Sequence, residues 1–181
     1  MHYQSQAVAH PQSCYVLSEY QHLLPDHGYA LDLACGMGGN AVLLAKRGLQ
    51  VTAWDFSEAA IKGLSAYASS NELKILAEVR DVEDSPPEIE TFDVIVVSYF
   101  LERDLAPFLM QALRPGGLLF YQTFIRDVVS DGGPRNPQYR LARGELLDLF
   151  ADLHPLIYRE EGSQGDVSQG LRNEALLVAQ R

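Results

Sequence analysis

Two hydrophobic periodicities alternate along this chain. Short runs of β-formers are separated by stretches whose apolar residues recur every three to four positions, and the alternation continues through the first 125 residues. Such alternation predicts a parallel sheet, because each parallel pairing needs a long crossover, usually a helix. Leu31 and Leu33 mark a first strand, and 49–54, 73–79, 92–97 and 118–124 read as four more. The run Phe92-Asp93-Val94-Ile95-Val96-Val97 is almost unbroken in apolar β-formers, as expected for a central strand covered on both faces. Ala41, Leu44 and Ala45 stripe a helix that Gly48 ends. Ile61, Leu64 and Ala68 stripe a second, behind the N-cap Ser57 and the favourably charged Glu58. Leu105, Phe108, Leu109, Ala112 and Leu113 stripe a third, broken by Arg114-Pro115-Gly116-Gly117. Ahead of the first strand, Val16, Tyr20, Leu23 and Leu24 predict one helix over 12–24, stopped by Pro25.

Past residue 125 the pattern changes. A loop over 126–143 carries Gly132-Gly133-Pro134 and Pro137, and loops of that length in compact domains tend to be functional. A short helix at 144–150 follows. Two strands, 153–160 and 174–179, are joined by a polar segment without a helix, so they should pair antiparallel to each other. With no internal repeat or linker, 181 residues fit a single domain with a full core.

Composition narrows the function. Hydrophobic residues make up 47% and charged residues 21%, ordinary for a globular protein, and no apolar run is long enough for a membrane span. The N-terminus has no basic segment leading into an apolar one, so a secretory signal is not expected and the cytoplasm is. A net charge of -10 argues against a general nucleic-acid binder, which needs clustered Lys and Arg. Two cysteines, Cys14 and Cys35, make neither a disulfide framework nor a zinc site, and the five histidines have no ligand spacing, so no metal is expected. His10 stands apart only because the N-terminal segment could cover a pocket. The oligomeric state is not legible.

The chemistry concentrates after the first strand. Gly36-Met37-Gly38-Gly39-Asn40-Ala41 fits G-x-G-x-x-[GA], and Asp55 follows Gly36 by 19 residues, placed to hold a ribose. Glycines there allow a tight turn and close backbone approach. Taken alone, this supports NAD as well as any other nucleotide. Asp32 shifts the balance: a carboxylate near the ligand end of the first strand disfavours a pyrophosphate and favours an ammonium. The competing readings are that Asp32 caps the following turn and that Asp55 and Asp81 are solvated loop acids.

With Leu31-Asp32-Leu33-Ala34-Cys35-Gly36-Met37-Gly38, Trp54-Asp55-Phe56-Ser57, Arg80-Asp81-Val82, Phe92-Asp93-Val94-Ile95 and Leu113-Arg114-Pro115-Gly116-Gly117 in this order, the chain resembles the class I S-adenosylmethionine-dependent methyltransferases. The resemblance implies an α/β, Rossmann-like fold: a seven-stranded, mainly parallel sheet in the order 3-2-1-4-5-7-6, its last strand antiparallel, with helices on both faces. It divides the domain into an N-terminal cap segment and helix (1–28), a cofactor-binding core (29–125), and a substrate loop with the last two strands (126–181). By position it gives Asp32 to the methionine amino group of S-adenosylmethionine. Ala34, Gly36 and Gly38 would approach through backbone, with Ala34 standing where the family usually has glycine. Asp55 would accept the ribose hydroxyls, Phe56 would lie against the adenine, and Asp81 and Val82 would bind its edge. Ser98 would sit near the sulfonium, and Tyr99 and Phe100 would begin the acceptor wall.

On the acceptor side, Arg126, Arg135, Arg140 and Arg143 crowd one 18-residue stretch opposed only by Asp127 and Asp131. In an acidic protein such a patch suits an anionic acceptor, because guanidinium groups bind oxyanions with fork geometry. Loop salt bridges within the protein are the competing reading. Gly144-Glu145-Leu146, Tyr158-Arg159-Glu160-Glu161 and Val51-Thr52-Ala53-Trp54-Asp55 resemble the small bacterial tellurite-resistance type of methyltransferase, which methylates chalcogen oxyanions. The expectation is therefore methyl transfer to a small anionic acceptor, with Tyr99, Arg126 and Arg143 orienting it. A non-catalytic module that binds S-adenosylmethionine and an NAD-dependent enzyme are the alternatives.

Overall fold

The protein is described by a computed structural model over residues 12–181. The N-terminal segment 1–11, including His10, lies outside the described residues. Seven strands form one sheet in the order β3-β2-β1-β4-β5-β7-β6, as the resemblance implies. The strands are β1 (Tyr29–Leu33), β2 (Gln50–Asp55), β3 (Ile75–Val79), β4 (Phe92–Ser98), β5 (Leu113–Phe124), β6 (His154–Glu160) and β7 (Glu174–Gln180). All neighbouring pairs from β3 to β5 run parallel, and β7 runs antiparallel to both β5 and β6. Alternation of side chains sorts the core into two layers. Ala30, Val51, Ala53, Val94, Val96, Phe120 and Val178 face α1 (Tyr15–Glu19), α2 (Gly39–Lys46) and α3 (Glu58–Ser70). Leu31, Leu33, Ile95, Val97, Leu119 and Leu177 face α4 (Ala106–Ala112) and α5 (Glu145–Leu149).

Two local expectations are corrected. The helix predicted over 12–24 is only α1, followed by a 3₁₀ turn at Gln21–Leu23. Its start is fixed from outside, because the Cys14 N–H donates to Asn40 Oδ1 at 2.9 Å with Cys14 extended. Its end is undone locally: Ser18 Oγ donates back to the Cys14 and Tyr15 carbonyls, and the Gln21 side chain donates to the Ser18 carbonyl. Second, Arg114-Pro115-Gly116-Gly117 is not a simple break between helix and strand. The β4 pairing jumps from Phe92↔Leu113 to Val94↔Leu118, so these residues form an irregularity inside β5. Gly117 is required there, because a Cβ would lie 2.9 Å from the Arg114 carbonyl oxygen.

The topology puts the carboxyl ends of β1 to β6 and the start of β7 along one edge of the sheet. In open α/β sheets that edge is where ligands bind. It brings together residues far apart in sequence: Asp32, Asp55, Ser98, Phe124, Glu160 and Glu174.

Candidate functional site

The glycine turn is built by hydrogen bonds that leave little freedom. The Cys35 N–H continues the β1–β2 ladder to the Trp54 carbonyl at 2.9 Å, and the Gly38 N–H closes back on the Cys35 carbonyl at 2.8 Å. Gly38 has φ +80, and a Cβ there would fall 2.4 Å from Leu64 Cδ1, so close packing of turn on α3 requires glycine. Gly36 differs. It has φ +51 and nothing within 4 Å of where a Cβ would sit, so its open side faces free space above the strand end. Ala34 also has positive φ (55), a strained conformation for a residue with a Cβ. Here alanine occupies a turn that favours glycine, at a backbone cost of about 1 kcal/mol.

Asp55 closes the floor. It is buried, and its Oδ2 accepts the Gly36 N–H at 2.8 Å while Oδ1 accepts the Ser57 N–H at 2.9 Å. Two backbone donors thus fix the carboxylate at the end of β2, leaving further lone pairs on each oxygen. Ala34, Trp54, Asp55, Phe56, Arg80, Asp81, Val82, Glu83 and Phe100 line a cleft of about 300 Å³ there. Phe56 is 82% exposed at its lip, Val82 is buried, and Asp81 is held in a turn by the Glu83 N–H at 3.0 Å. A fixed carboxylate with free lone pairs and an exposed ring thus border the cleft, beside a glycine face without obstruction. Arg80 is a member that the sequence reading missed. Its guanidinium lies 3.8 Å from the Trp54 ring centroid and donates to the Ser85 and Pro86 carbonyls, shaping the loop beyond Asp81.

Asp32 is fully buried. Oδ2 accepts the Ala41 N–H at 2.9 Å and Oδ1 the Asn40 side-chain amide at 3.3 Å, so it caps the first turn of α2. Burial pushes its carboxyl up to about 7 against these hydrogen bonds, which favour the charged form. Asn40 also donates to Ser98 Oγ at 2.9 Å and accepts from the Cys14 N–H. It therefore ties β1, β4 and α1 together, and sequence reading passed over it. Its signal was a buried amide beside the apolar stripe of α2. Burial also raises the Cys14 thiol to about 12 and the Cys35 thiol further, so neither is a reactive thiolate.

A second polar cluster lies beside Ser98. Tyr99 has φ 56, is 49% exposed and packs on Phe124 with ring centroids 5.2 Å apart. Its hydroxyl is 3.4 Å from Glu174 Oε2 and accepts from the Gln122 side-chain amide at 3.3 Å. Burial, then the Glu174 charge, push the Tyr99 hydroxyl up to about 12. Gln122 and Glu174 were not singled out from the sequence. A glutamine inside the otherwise apolar run of β5 was the available signal for the first.

The arginines of the 126–143 loop do not form one cluster. Arg140 is absorbed: it donates to the carbonyls of Pro134 at 2.7 Å, of Ile125 at 3.0 Å and of Gly132. That removes it from the expected anion clamp, because its donors already hold the loop. Arg126 donates to the Pro137 carbonyl at 3.2 Å and is otherwise exposed. Arg143, with 85% of its side chain exposed, pairs with Asp127 at 3.8 Å. It lines a separate cleft with Tyr158, Glu160 and Glu161, near the end of β6. Arg135 is exposed and has no partner among the described residues. No group of three or more His, Cys, Asp or Glu residues is placed to hold a metal among the described residues, and no described helix is long and apolar enough to cross a membrane.

Residues 30–117 match the family described as a methyltransferase domain. This segment is similar to S-adenosylmethionine-dependent methyltransferases, TehB among them, and the fold is the one those proteins share. The probable S-adenosyl-L-methionine-dependent methyltransferase TehB of Haemophilus influenzae is 29% identical over 139 residues, covering 72% of this chain and 47% of that protein. The crystal structure of TehB from Haemophilus influenzae superposes with a TM-score of 0.74 at 23% identity, over 92% of this chain and 61% of that one. The ubiquinone biosynthesis O-methyltransferase of Coxiella burnetii is 33% identical over 104 residues, 55% of this chain and 44% of that protein. The chain thus spans about half the length of the curated relatives it matches. The TehB relative is named for its dependence on S-adenosyl-L-methionine.

Proposed function

We propose that this protein transfers the methyl group of S-adenosylmethionine to a small anionic acceptor, such as a tellurite- or selenite-like oxyanion, an organic acid or a thiol. Asp55 carries this reading: a buried carboxylate held by Gly36 and Ser57, at the base of a cleft bordered by Phe56, Asp81 and Val82. In it Asp55 accepts the ribose hydroxyls, Asp81 and Val82 take the adenine edge, and Ala34, Gly36 and Gly38 give the methionine part its backbone wall. Asp32 caps the first turn of α2 beneath that end, and Ser98 marks the boundary with the acceptor. The bound cofactor supplies an electrophilic methyl group with a neutral leaving group, so alignment is the main demand on the protein. The exposed guanidinium of Arg135, with Arg126 and Arg143 on the same loop, supports an anion as the acceptor.

Calorimetry with S-adenosylhomocysteine tests the cofactor half. Micromolar binding is expected, and no heat at protein concentrations near 0.1 mM would overturn it. Turnover against a panel of small anions tests the acceptor half. Tight cofactor binding without turnover of any acceptor would favour the non-catalytic module.

A further inference from the structure

The cluster around Glu174 lies outside the lining of the cleft at Asp55. Glu174 is the first residue of β7, opposite Phe124 in β5. Its Oε2 receives the Gln122 side-chain amide and lies within hydrogen-bonding range of the Tyr99 hydroxyl. Gln122 cannot be turned the other way. Its Oε1 is committed to the Val16 N–H at 2.7 Å, so its NH₂ must face Glu174. The remaining oxygen, Oε1 of Glu174, has no hydrogen-bond partner among the described residues, and the residue is only partly buried.

Tyr99 connects this carboxylate to the methyl-transfer region. It directly follows Ser98, whose hydroxyl is tied through Asn40 to Asp32. β4 and β7 are two strand spacings apart, about 10 Å, and the tyrosine side chain bridges that gap across β5. Tyr99 adopts a left-handed backbone angle that a bulky residue takes at a cost of about 1–3 kcal/mol. Phe124 backs its ring, and Phe124 in turn is backed by Gly133, where a Cβ would lie 2.6 Å from the phenylalanine ring. The stack leaves a half-exposed aromatic face beside the Glu174 carboxyl group, whose Oε1 is unengaged among the described residues.

We propose that Glu174 is the general base of this site and that the acceptor is a small aromatic hydroxy acid, its ring on Tyr99, its hydroxyl toward Glu174 Oε1 and its carboxylate toward the arginine loop. This rests on the methyltransferase reading above and narrows its acceptor. As the acceptor oxygen forms its bond to the methyl carbon, the O–H bond breaks and the proton passes to Glu174. The sulfur–carbon bond breaks with its electron pair left on sulfur, so charge and atoms balance. Gln122 is a positioning residue that orients the base. A fully ionised oxyanion gains nothing from Glu174 and is repelled by it, so the same carboxylate discriminates between acceptor types.

The test uses 3,4-dihydroxybenzoate and selenite as probe acceptors with the wild type and Glu174→Gln, a variant that can still accept the Gln122 amide. The wild type should methylate 3,4-dihydroxybenzoate faster than selenite. In E174Q, kcat on 3,4-dihydroxybenzoate should fall about 100-fold or more, the usual worth of a general base, and the acid limb of its pH profile should disappear. Calorimetric binding of S-adenosylhomocysteine, and of 3,4-dihydroxybenzoate to that complex, should stay within about threefold of wild type. A preference for selenite, an unchanged kcat and pH limb in E174Q, or absence of 3,4-dihydroxybenzoate turnover while S-adenosylhomocysteine binds would each overturn the proposal. Failure to bind S-adenosylhomocysteine would instead overturn the reading on which it rests.

Discussion

The two halves of the ligand edge use charge in opposite ways. Over β1 to β3 the acids are held by backbone N–H groups: Asp32 by Ala41, Asp55 by Gly36 and Ser57, Asp81 by Glu83. Beyond β5 the arginines hold backbone carbonyls. Arg140 takes those of Pro134, Ile125 and Gly132, and Arg172 those of Gly162, Gln164, Asp166 and Gln169. Arg103 joins the two helical pieces of that side, donating to Gln138 and Arg140 carbonyls and to Glu145. An acid at a strand end meets a fixed donor and keeps lone pairs for a ligand. An arginine in a long loop meets the loop's own carbonyls, and its donors are consumed. Charge on the first side keeps acceptor capacity for the proposed site, whereas most of the charge on the second builds a fold.

The sharpest way to break this contrast is Asp55→Ala. It removes the proposed ribose acceptor and orphans two N–H groups, so S-adenosylhomocysteine should bind about 100-fold more weakly, measured by calorimetry. Wild-type affinity would make Asp55 a structural residue like the arginines. Next in size is Arg140→Met. Three carbonyls lose a charged donor in a half-exposed loop, and stability should drop by about 1–2 kcal/mol in urea denaturation with cofactor affinity unchanged. If stability holds and only acceptor kinetics suffer, Arg140 belongs to the site after all.

A smaller effect follows from Asp32. In the folded, ligand-free protein its carboxyl keeps a proton up to about pH 7, while in the unfolded chain it ionises in the ordinary carboxylate range. Between those limits the folded state binds more protons, so this contribution is complete below the ordinary range and is lost as pH rises through 7. Stability should fall by about 1 kcal/mol from pH 6 to pH 8 on this account, and Asp32→Asn should flatten that slope in thermal melts. The smallest effect is expected at Arg135. Its replacement by alanine should leave stability within about 0.5 kcal/mol, as for surface substitutions generally, while weakening an anionic acceptor several-fold in KM. Unchanged acceptor kinetics would leave the loop with no free cation in use.

Glu174 sits between the two regimes. It lies on the arginine side but is held as the acids of the cofactor side are, by donors that leave one oxygen open. Nothing in its immediate sequence marks it, since Asn173-Glu174-Ala175 reads as the polar start of a strand. Gln122 and Tyr99, 52 and 75 residues away, give it its setting.

The sequence by itself determined the strand order's parallel core, the glycine turn and the positions of Asp32, Asp55, Asp81 and Ser98 at strand ends. Those follow from local physics: period-two apolar runs make strands, helical stripes make crossovers, and a parallel arrangement lines up the carboxyl ends. It also marked a helix within 12–24, but not that Asn40 from another element would set its first residue and Ser18 its early end. Tertiary structure alone decided which charges are free. A guanidinium or carboxylate is described in sequence only by its presence, whereas its availability depends on partners brought by distant segments. Arg140 lost its donors to a loop that folds over it. Glu174 kept an oxygen because Gln122, pinned by Val16, approaches from one side only.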